Sequence, residues 1–147
     1  MIEIQIAPLK IEDLEEVLRL WLAVNLKTHG FVSQEHFLAH LPMMREALPK
    51  ATVLVAKKED QVVGFLGMEE KFIHGLFVAE ANQGSGIGKG LLDEAKKNAT
   101  TLRLKVYKKN PRAYAFYVRE GFQVEKAVMD EAVGEEEMIL SWASEKR

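Results

Sequence analysis

The chain has 147 residues, of which 48% are hydrophobic and 29% charged, with a formal net charge of −2. That length suits one domain spanning 1–147 with a buried core, and the near-neutral balance excludes the strongly basic footprint of a dedicated nucleic-acid binder. The absence of cysteine excludes disulfides, thiolate metal sites and a cysteine nucleophile, and fits a reducing, cytoplasmic setting.

No long uncharged apolar stretch is present, so no membrane-spanning helix is expected. The N-terminus lacks the basic start of a signal peptide. Residues Ile2 to Ala7 alternate apolar and polar like a half-buried strand, which Pro8 ends. Leu14, Val17, Leu18, Trp21, Leu22 and Val24 then recur at helical spacing, predicting a helix over 11–27 that stops near Gly30. Ser33 is a suitable N-cap for a second helix reaching about Leu48, with Pro42 inside it.

From Ala51 the period changes to two. Strands are predicted over 52–56 and 62–68, joined by a hairpin turn at Lys58–Gln61. A third strand runs from about Lys71 to Val78. A helix over 88–98 and a strand over 102–107 follow. Asn110 and Pro111 open another helix as N-cap and first helical residue, and Gly121 closes it. Two strands, 122–129 and 136–142, finish the chain around an acidic turn containing Gly134. The order implies an α/β fold with a mixed, mostly antiparallel sheet, in which only the strand–helix–strand pieces near the end pair in parallel.

The segment Gln83-Gly84-Ser85-Gly86-Ile87-Gly88-Lys89-Gly90 lies between a strand and a helix start. Its glycines permit tight turns, and converging backbone N–H groups at a helix N-terminus favour an anion, so it reads as a phosphate cradle. A P-loop is excluded because Gln83 stands where the first glycine belongs and Gly90 replaces the Ser/Thr. The dinucleotide fingerprint fails too, since its third glycine falls on Lys89 or Leu91.

The remaining pattern, Gln-x-x-Gly-x-Gly at Gln83, Gly86 and Gly88, resembles the pyrophosphate loop of the GNAT superfamily of N-acetyltransferases. The block Asn110-Pro111-Arg112-Ala113-Tyr114-Ala115-Phe116-Tyr117, followed by Glu120-Gly121-Phe122, is similar to a second motif of that family. The element order agrees over nearly the whole chain. The resemblance implies the GNAT acyl-CoA N-acyltransferase fold: about four helices and a central sheet whose strand 71–78 splays from strand 102–107.

By the same resemblance, acetyl-CoA is the cosubstrate and the acceptor is a primary amine of a small molecule or peptide. Leu76, Phe77 and Val78 would hold the pantetheine arm and thioester with unpaired backbone groups. The amides of Gly84, Ser85, Gly86, Ile87, Gly88 and Lys89 would hold the diphosphate, with Gln83 in the motif. Lys89 is either an added positive charge there or a solvated lysine. Asn110 caps its helix on any reading and is expected to meet the cofactor arm.

Tyr117 is the expected general acid toward the leaving thiolate, since a phenol near pKa 10 stays protonated at neutral pH. Simple alternation puts Glu70, Phe72, His74, Leu76 and Val78 on one strand face. His74 is the first candidate base and Glu70 the second. His29 and Phe31, between the first two helices, are candidates for the acceptor pocket.

Two further clusters have open readings. His36 and His40 share a helix face, but without cysteine or an H-E-x-x-H pattern no metal site is expected. Arg103, Lys105, Lys108, Lys109 and Arg112 would meet the coenzyme's 3′-phosphate or form a solvated strand face, and Glu135-Glu136-Glu137 would draw a cationic acceptor or solubilise a hairpin. The competing functional readings are a non-catalytic CoA-binding module on the same fold and a nucleotide-binding protein. Neither membrane nor nucleic acid is an expected partner, and a homodimer through the C-terminal strands is compatible with the pattern.

Overall fold

The computed structural model describes residues 3–145. Strand β1 (Ile4–Pro8) leads through a 3₁₀ turn into helix α1 (Leu14–Thr28), followed by helix α2 (Gln34–Ala47). Strands β2 (Thr52–Lys58), β3 (Gln61–Glu69) and β4 (Phe72–Val78) form two successive hairpins. Helix α3 (Ile87–Lys97), β5 (Thr101–Tyr107), helix α4 (Pro111–Arg119), β6 (Gln123–Asp130) and β7 (Glu135–Ala143) complete the order. No helix among the described residues is long and apolar enough to cross a membrane.

The seven strands form one sheet in the order β1-β2-β3-β4-β5-β7-β6. Every neighbouring pair is antiparallel except β4 and β5. This is the mixed sheet that the element order implies. Pro8 closes β1 opposite Leu54 rather than lying outside it. An edge strand tolerates this, since one side of its backbone has no ladder to feed. Ile2, the expected first residue of that strand, lies outside the described residues.

Local signals behave as their chemistry dictates. The Ser33 hydroxyl accepts from the His36 N–H at 3.2 Å, capping α2, and Pro42 sits within that helix without ending it. Asn110 Oδ1 accepts from the Ala113 N–H at 3.2 Å, with Pro111 as first helical residue of α4. Gly121 follows α4 at φ +96°, a backbone region in which a side chain would be strained.

Helices cover both faces of the sheet. Leu14, Val17, Leu18, Trp21 and Phe37 from α1 and α2 bury against Val53, Val55 and Phe65. Leu91, Leu92 and Ala95 of α3, with Tyr117 and Phe122, bury against Leu66, Ile73, Leu102, Leu104 and Leu140 on the other face. Gly64 is the point of closest approach on that second face. A Cβ there would stand 3.0 Å from the Phe77 carbonyl oxygen, 3.1 Å from Ile87 and 3.3 Å from Leu91. Gly64→Ala should therefore cost about 1–3 kcal/mol of stability through overpacking, read as a lower urea midpoint at unchanged slope.

Candidate active site

The site begins where a ladder stops. Strands β4 and β5 pair only at Phe72↔Arg103 and Ile73↔Leu104. Beyond Ile73 the two strands part while β4 stays paired to β3 as far as Val78↔Gly64. The Ala79 N–H donates to Val63 O at 2.8 Å, so alternation turns the Phe77 backbone toward β3 and the backbones of Leu76 and Val78 toward the gap. Of the three expected residues, Leu76 and Val78 border the cleft that opens there. The Phe77 ring lies on the opposite face, stacked on Phe65 at 5.0 Å.

The glycine loop closes one end of this gap. Gly84 and Gly86 adopt φ values of +81° and +86°. Gly86 is the N-cap of α3 and supplies no side-chain hydrogen bond. The first N–H groups of α3 therefore keep their donor capacity, at the end of the helix that attracts negative charge. Gln83 Nε2 donates to Val78 O at 3.1 Å, tying the loop to the end of β4. The Ser85 hydroxyl turns back onto Asn82 O.

Helix α4 forms the opposite wall. Tyr117 is buried between the rings of Phe116 at 5.2 Å and Phe122 at 5.5 Å. Its hydroxyl makes no hydrogen bond among the described residues, and no side-chain polar atom there is both sealed and unpartnered. The hydroxyl therefore reaches the cleft that the residue lines. Burial raises its pKa above the ordinary phenol value.

These elements and one face of α1 enclose a cleft of about 1010 Å³. Its charged lining is Lys27, Lys89, Arg112 and Arg119 against Glu80 and Glu120, a local cationic excess in a chain of net charge −2. The Lys89 ammonium is engaged by Glu120 at 3.0 Å and Asp93 at 3.3 Å, and these carboxylates raise its pKa. Glu120 also accepts from Lys96 Nζ through its carbonyl oxygen at 2.6 Å, which ties the end of α4 to α3. Lys27 and Glu80 form an ion pair between α1 and the segment after β4.

The base candidates lie elsewhere. The register of β4 against β3 contains one extra residue, His74, between Ile73↔Met68 and Gly75↔Gly67. This bulge reverses the alternation, so Ile73, Leu76 and Val78 pack toward α3, and the single face expected for Glu70, Phe72, His74, Leu76 and Val78 does not form. His74 is exposed, with Nε2 3.1 Å from Glu69 Oε1. Glu70 occupies the β3–β4 turn at φ +52° and lines a separate depression with Lys71 and Glu94. Neither residue joins Tyr117 in the cleft.

At the acceptor end, His29 and Phe31 come together with ring centroids 5.6 Å apart, and both pack edge-on to Tyr107 at 5.2 Å. Both ring nitrogens of His29 are engaged: Nδ1 lies 2.7 Å from Asn25 Oδ1 and Nε2 lies 3.0 Å from Asn110 Nδ2. Burial lowers its pKa. The basic and acidic clusters largely pair with carboxylates and amines of the same sheet: Arg103 with Glu125, Lys108 with Glu136 and Lys109 with Glu135. Of the basic group, Arg112 lines the cleft. The His36 and His40 rings lie 4.3 Å apart, tilted by 45°, and His40 Nδ1 contacts His36 O at 2.7 Å.

Glu80 and Glu120 escape a reading of the sequence because their partners, Lys27 and Lys89, are distant in the chain, and Asn25 because its bonds to Trp21 and His29 are made within one helix end. The one available signal was Asn25, a polar residue on the apolar face of the first helix.

A family model described as an acetyltransferase (GNAT) domain matches residues 49–124. The chain is 30% identical over 132 residues to the peptidyl-lysine N-acetyltransferase YiaC of Escherichia coli, covering 88% of this chain and 90% of that protein. It is 33% identical over 114 residues to the peptidyl-lysine N-acetyltransferase YjaB of E. coli, covering 77% and 78%. The solution structure of apo YjaB superposes with a TM-score of 0.83 at 30% identity, over 95% of this chain and 97% of that one. The PaiA N-acetyltransferase of Thermoplasma acidophilum, solved with coenzyme A, shares the fold with a TM-score of 0.79 at 22% identity, over 97% and 99%.

Proposed function

Because the chain belongs to the GNAT family of acetyltransferases, we propose that it moves the acetyl group of acetyl-CoA to the side-chain amine of peptide lysines, as one catalytic domain. The observation that carries this reading is the meeting, in one cleft, of the stopped β4–β5 ladder, the uncapped start of α3 and the Tyr117 hydroxyl. The lysine acceptor is supported by the activity named for the relatives YiaC and YjaB.

The diphosphate sits on the N–H groups of Gly84 to Lys89, where the helix end supplies partial positive charge. Arg112 and Arg119 add full charges from α4. Lys89 joins them once the coenzyme competes with Glu120 and Asp93. Asn110, already committed to its cap and to His29, borders the pantetheine arm. The backbone groups of Leu76 and Val78 orient that arm and the thioester, and an N–H aimed at the carbonyl oxygen stabilises the oxyanion that develops.

The neutral amine forms a bond to the acetyl carbon and the C–S bond breaks. The sulfur takes the Tyr117 proton, while the nitrogen loses its extra proton to solvent in the open cleft. Tyr117 recovers a proton as the products leave. His74 remains a base candidate only if the acceptor reaches across the bulge on β4, a role that its exposure and Glu69 contact permit.

The test is a panel of peptides with blocked termini and one lysine, beside matched lysine-free peptides, polyamines and aminoglycosides. The expected outcome is CoA thiol release and one added acetyl mass on the lysine peptides alone. Turnover confined to small amines would overturn the acceptor. Coenzyme binding with no thiol release from any amine would favour the non-catalytic binding module.

A further inference from the structure

We propose that His29 is a positioning residue: as a neutral imidazole protonated on Nδ1, it bolts Asn110 and the first turn of α4 to the last turns of α1 across the cleft. The assignment follows from two backbone groups whose roles are fixed. Asn25 Nδ2 donates to Trp21 O at 2.9 Å, and a carbonyl can only accept, so Asn25 presents Oδ1 to His29 at 2.7 Å. The Ala113 N–H can only donate, and it reaches Asn110 Oδ1 at 3.2 Å, so Asn110 presents its NH₂ to His29 at 3.0 Å. His29 must then donate through Nδ1 and accept through Nε2. The chain Ala113 N–H, Asn110, His29, Asn25, Trp21 O is saturated in one direction.

Protonation breaks this arrangement. An added proton on Nε2 would face the Asn110 NH₂, donor against donor. Rotating the Asn110 amide repairs that contact only by turning the NH₂ onto the Ala113 N–H, which uncaps α4. Either outcome loosens the N-terminal end of the helix that carries Tyr117, and α1 contributes Ala23, Val24 and Thr28 to the facing wall.

The groups around His29 do not offset the proton. Asn25 approaches from α1 and Asn110 from the start of α4, both neutral. The Tyr107 and Phe31 rings cover its edges. Asp130 of β6 is bound to the Tyr107 hydroxyl at 3.2 Å, and Glu137 of β7 pairs opposite Tyr107. Lys109 lies over Phe31 at 5.7 Å and pairs with Glu135. Asp130, Glu137 and Lys109 therefore reach the imidazole only through those two aromatic residues. Burial lowers the His29 pKa below its unfolded value. The stability held in the neutral network is therefore complete above about pH 6.5 and is lost as pH falls through that value toward the folded pKa.

The experiment compares the full chain with His29→Gln and His29→Ala. Glutamine carries one donor and one acceptor at its tip, can bridge the same two asparagines, and does not titrate. Long-range ¹H–¹⁵N correlation of the wild-type imidazole should show a protonated Nδ1 and a bare Nε2, and the opposite tautomer overturns the proposal. Thermal unfolding from about pH 7.5 down to about pH 5 should fall more steeply in the wild type than in His29→Gln, and parallel curves overturn it. With a lysine peptide, His29→Ala should lose about tenfold or more in kcat while His29→Gln stays within about threefold. Equal damage in the two variants overturns it as well. The kinetic arm rests on the acetyltransferase reading, whereas the other two do not. A wild type without turnover but with the expected tautomer and acid slope counts against that reading and leaves the bolt standing.

Discussion

Replacing Tyr117 by phenylalanine should lower kcat by about a hundredfold or more while acetyl-CoA affinity stays within about twofold. The hydroxyl has no hydrogen-bond partner among the described residues and opens on the cleft, so its removal orphans no buried group. The ring keeps its packing between Phe116 and Phe122, and stability should change little. What is lost is the proton for the departing sulfur. Burial raises the Tyr117 pKa, which keeps the phenol protonated across the usable pH range. The same burial raises the pKa of a thiol forming beside it, which offsets the weaker acidity of the buried phenol. Steady-state kcat together with a calorimetric Kd checks the point. Unchanged turnover would remove Tyr117 from the chemistry and leave it a core residue.

Gly86→Val should raise the Kd for acetyl-CoA by about tenfold or more, equivalent to about 1.4 kcal/mol, and lower folding stability by about 1–3 kcal/mol. The new Cβ would meet nothing within 4 Å, so the cost is not a collision. It comes from a β-branched residue at φ +86°, where the chain must turn to begin α3. If the turn relaxes, the N–H groups that start the helix no longer converge. Gly88→Ala is the control, since its Cβ would make ordinary contacts at 3.6–3.9 Å with Phe116, Val78 and Leu76. A destabilised variant with unchanged coenzyme affinity would show that the loop is a structural turn rather than a phosphate cradle.

The element order was legible because each transition carried a local signal: a period change near Ala51, caps at Ser33 and Asn110, and a glycine after α4. The glycine loop before α3 and the Asn110–Tyr117 helix were legible for the same reason, being contiguous motifs. The strand face carrying His74 was misread because alternation is a counting rule, and one extra residue inverts the count without changing composition. The engagement of His29 by Asn110, and the pairing of Lys108 and Lys109 with Glu136 and Glu135, depend on pairing across many intervening residues. Helical or strand periodicity carries no information about such distant partners.

The bulge on β4 adds one residue to a short segment while leaving both of its ends on the same face. Ile73 must face α3 to meet Leu104 across the two-rung joint, and Leu76 and Val78 must face the same way to border the cleft. An odd number of steps separates Ile73 from Leu76, and only the inserted residue reconciles them. Deleting one residue between Ile73 and Leu76 would remove the bulge and leave a regular strand in which Ile73, Leu76 and Val78 still share a face, with Leu76 still opposite Leu66. The extra residue therefore decides which positions of the sequence reach the cleft: a count that passes over it puts His74 on the face that Leu76 and Val78 share with Ile73.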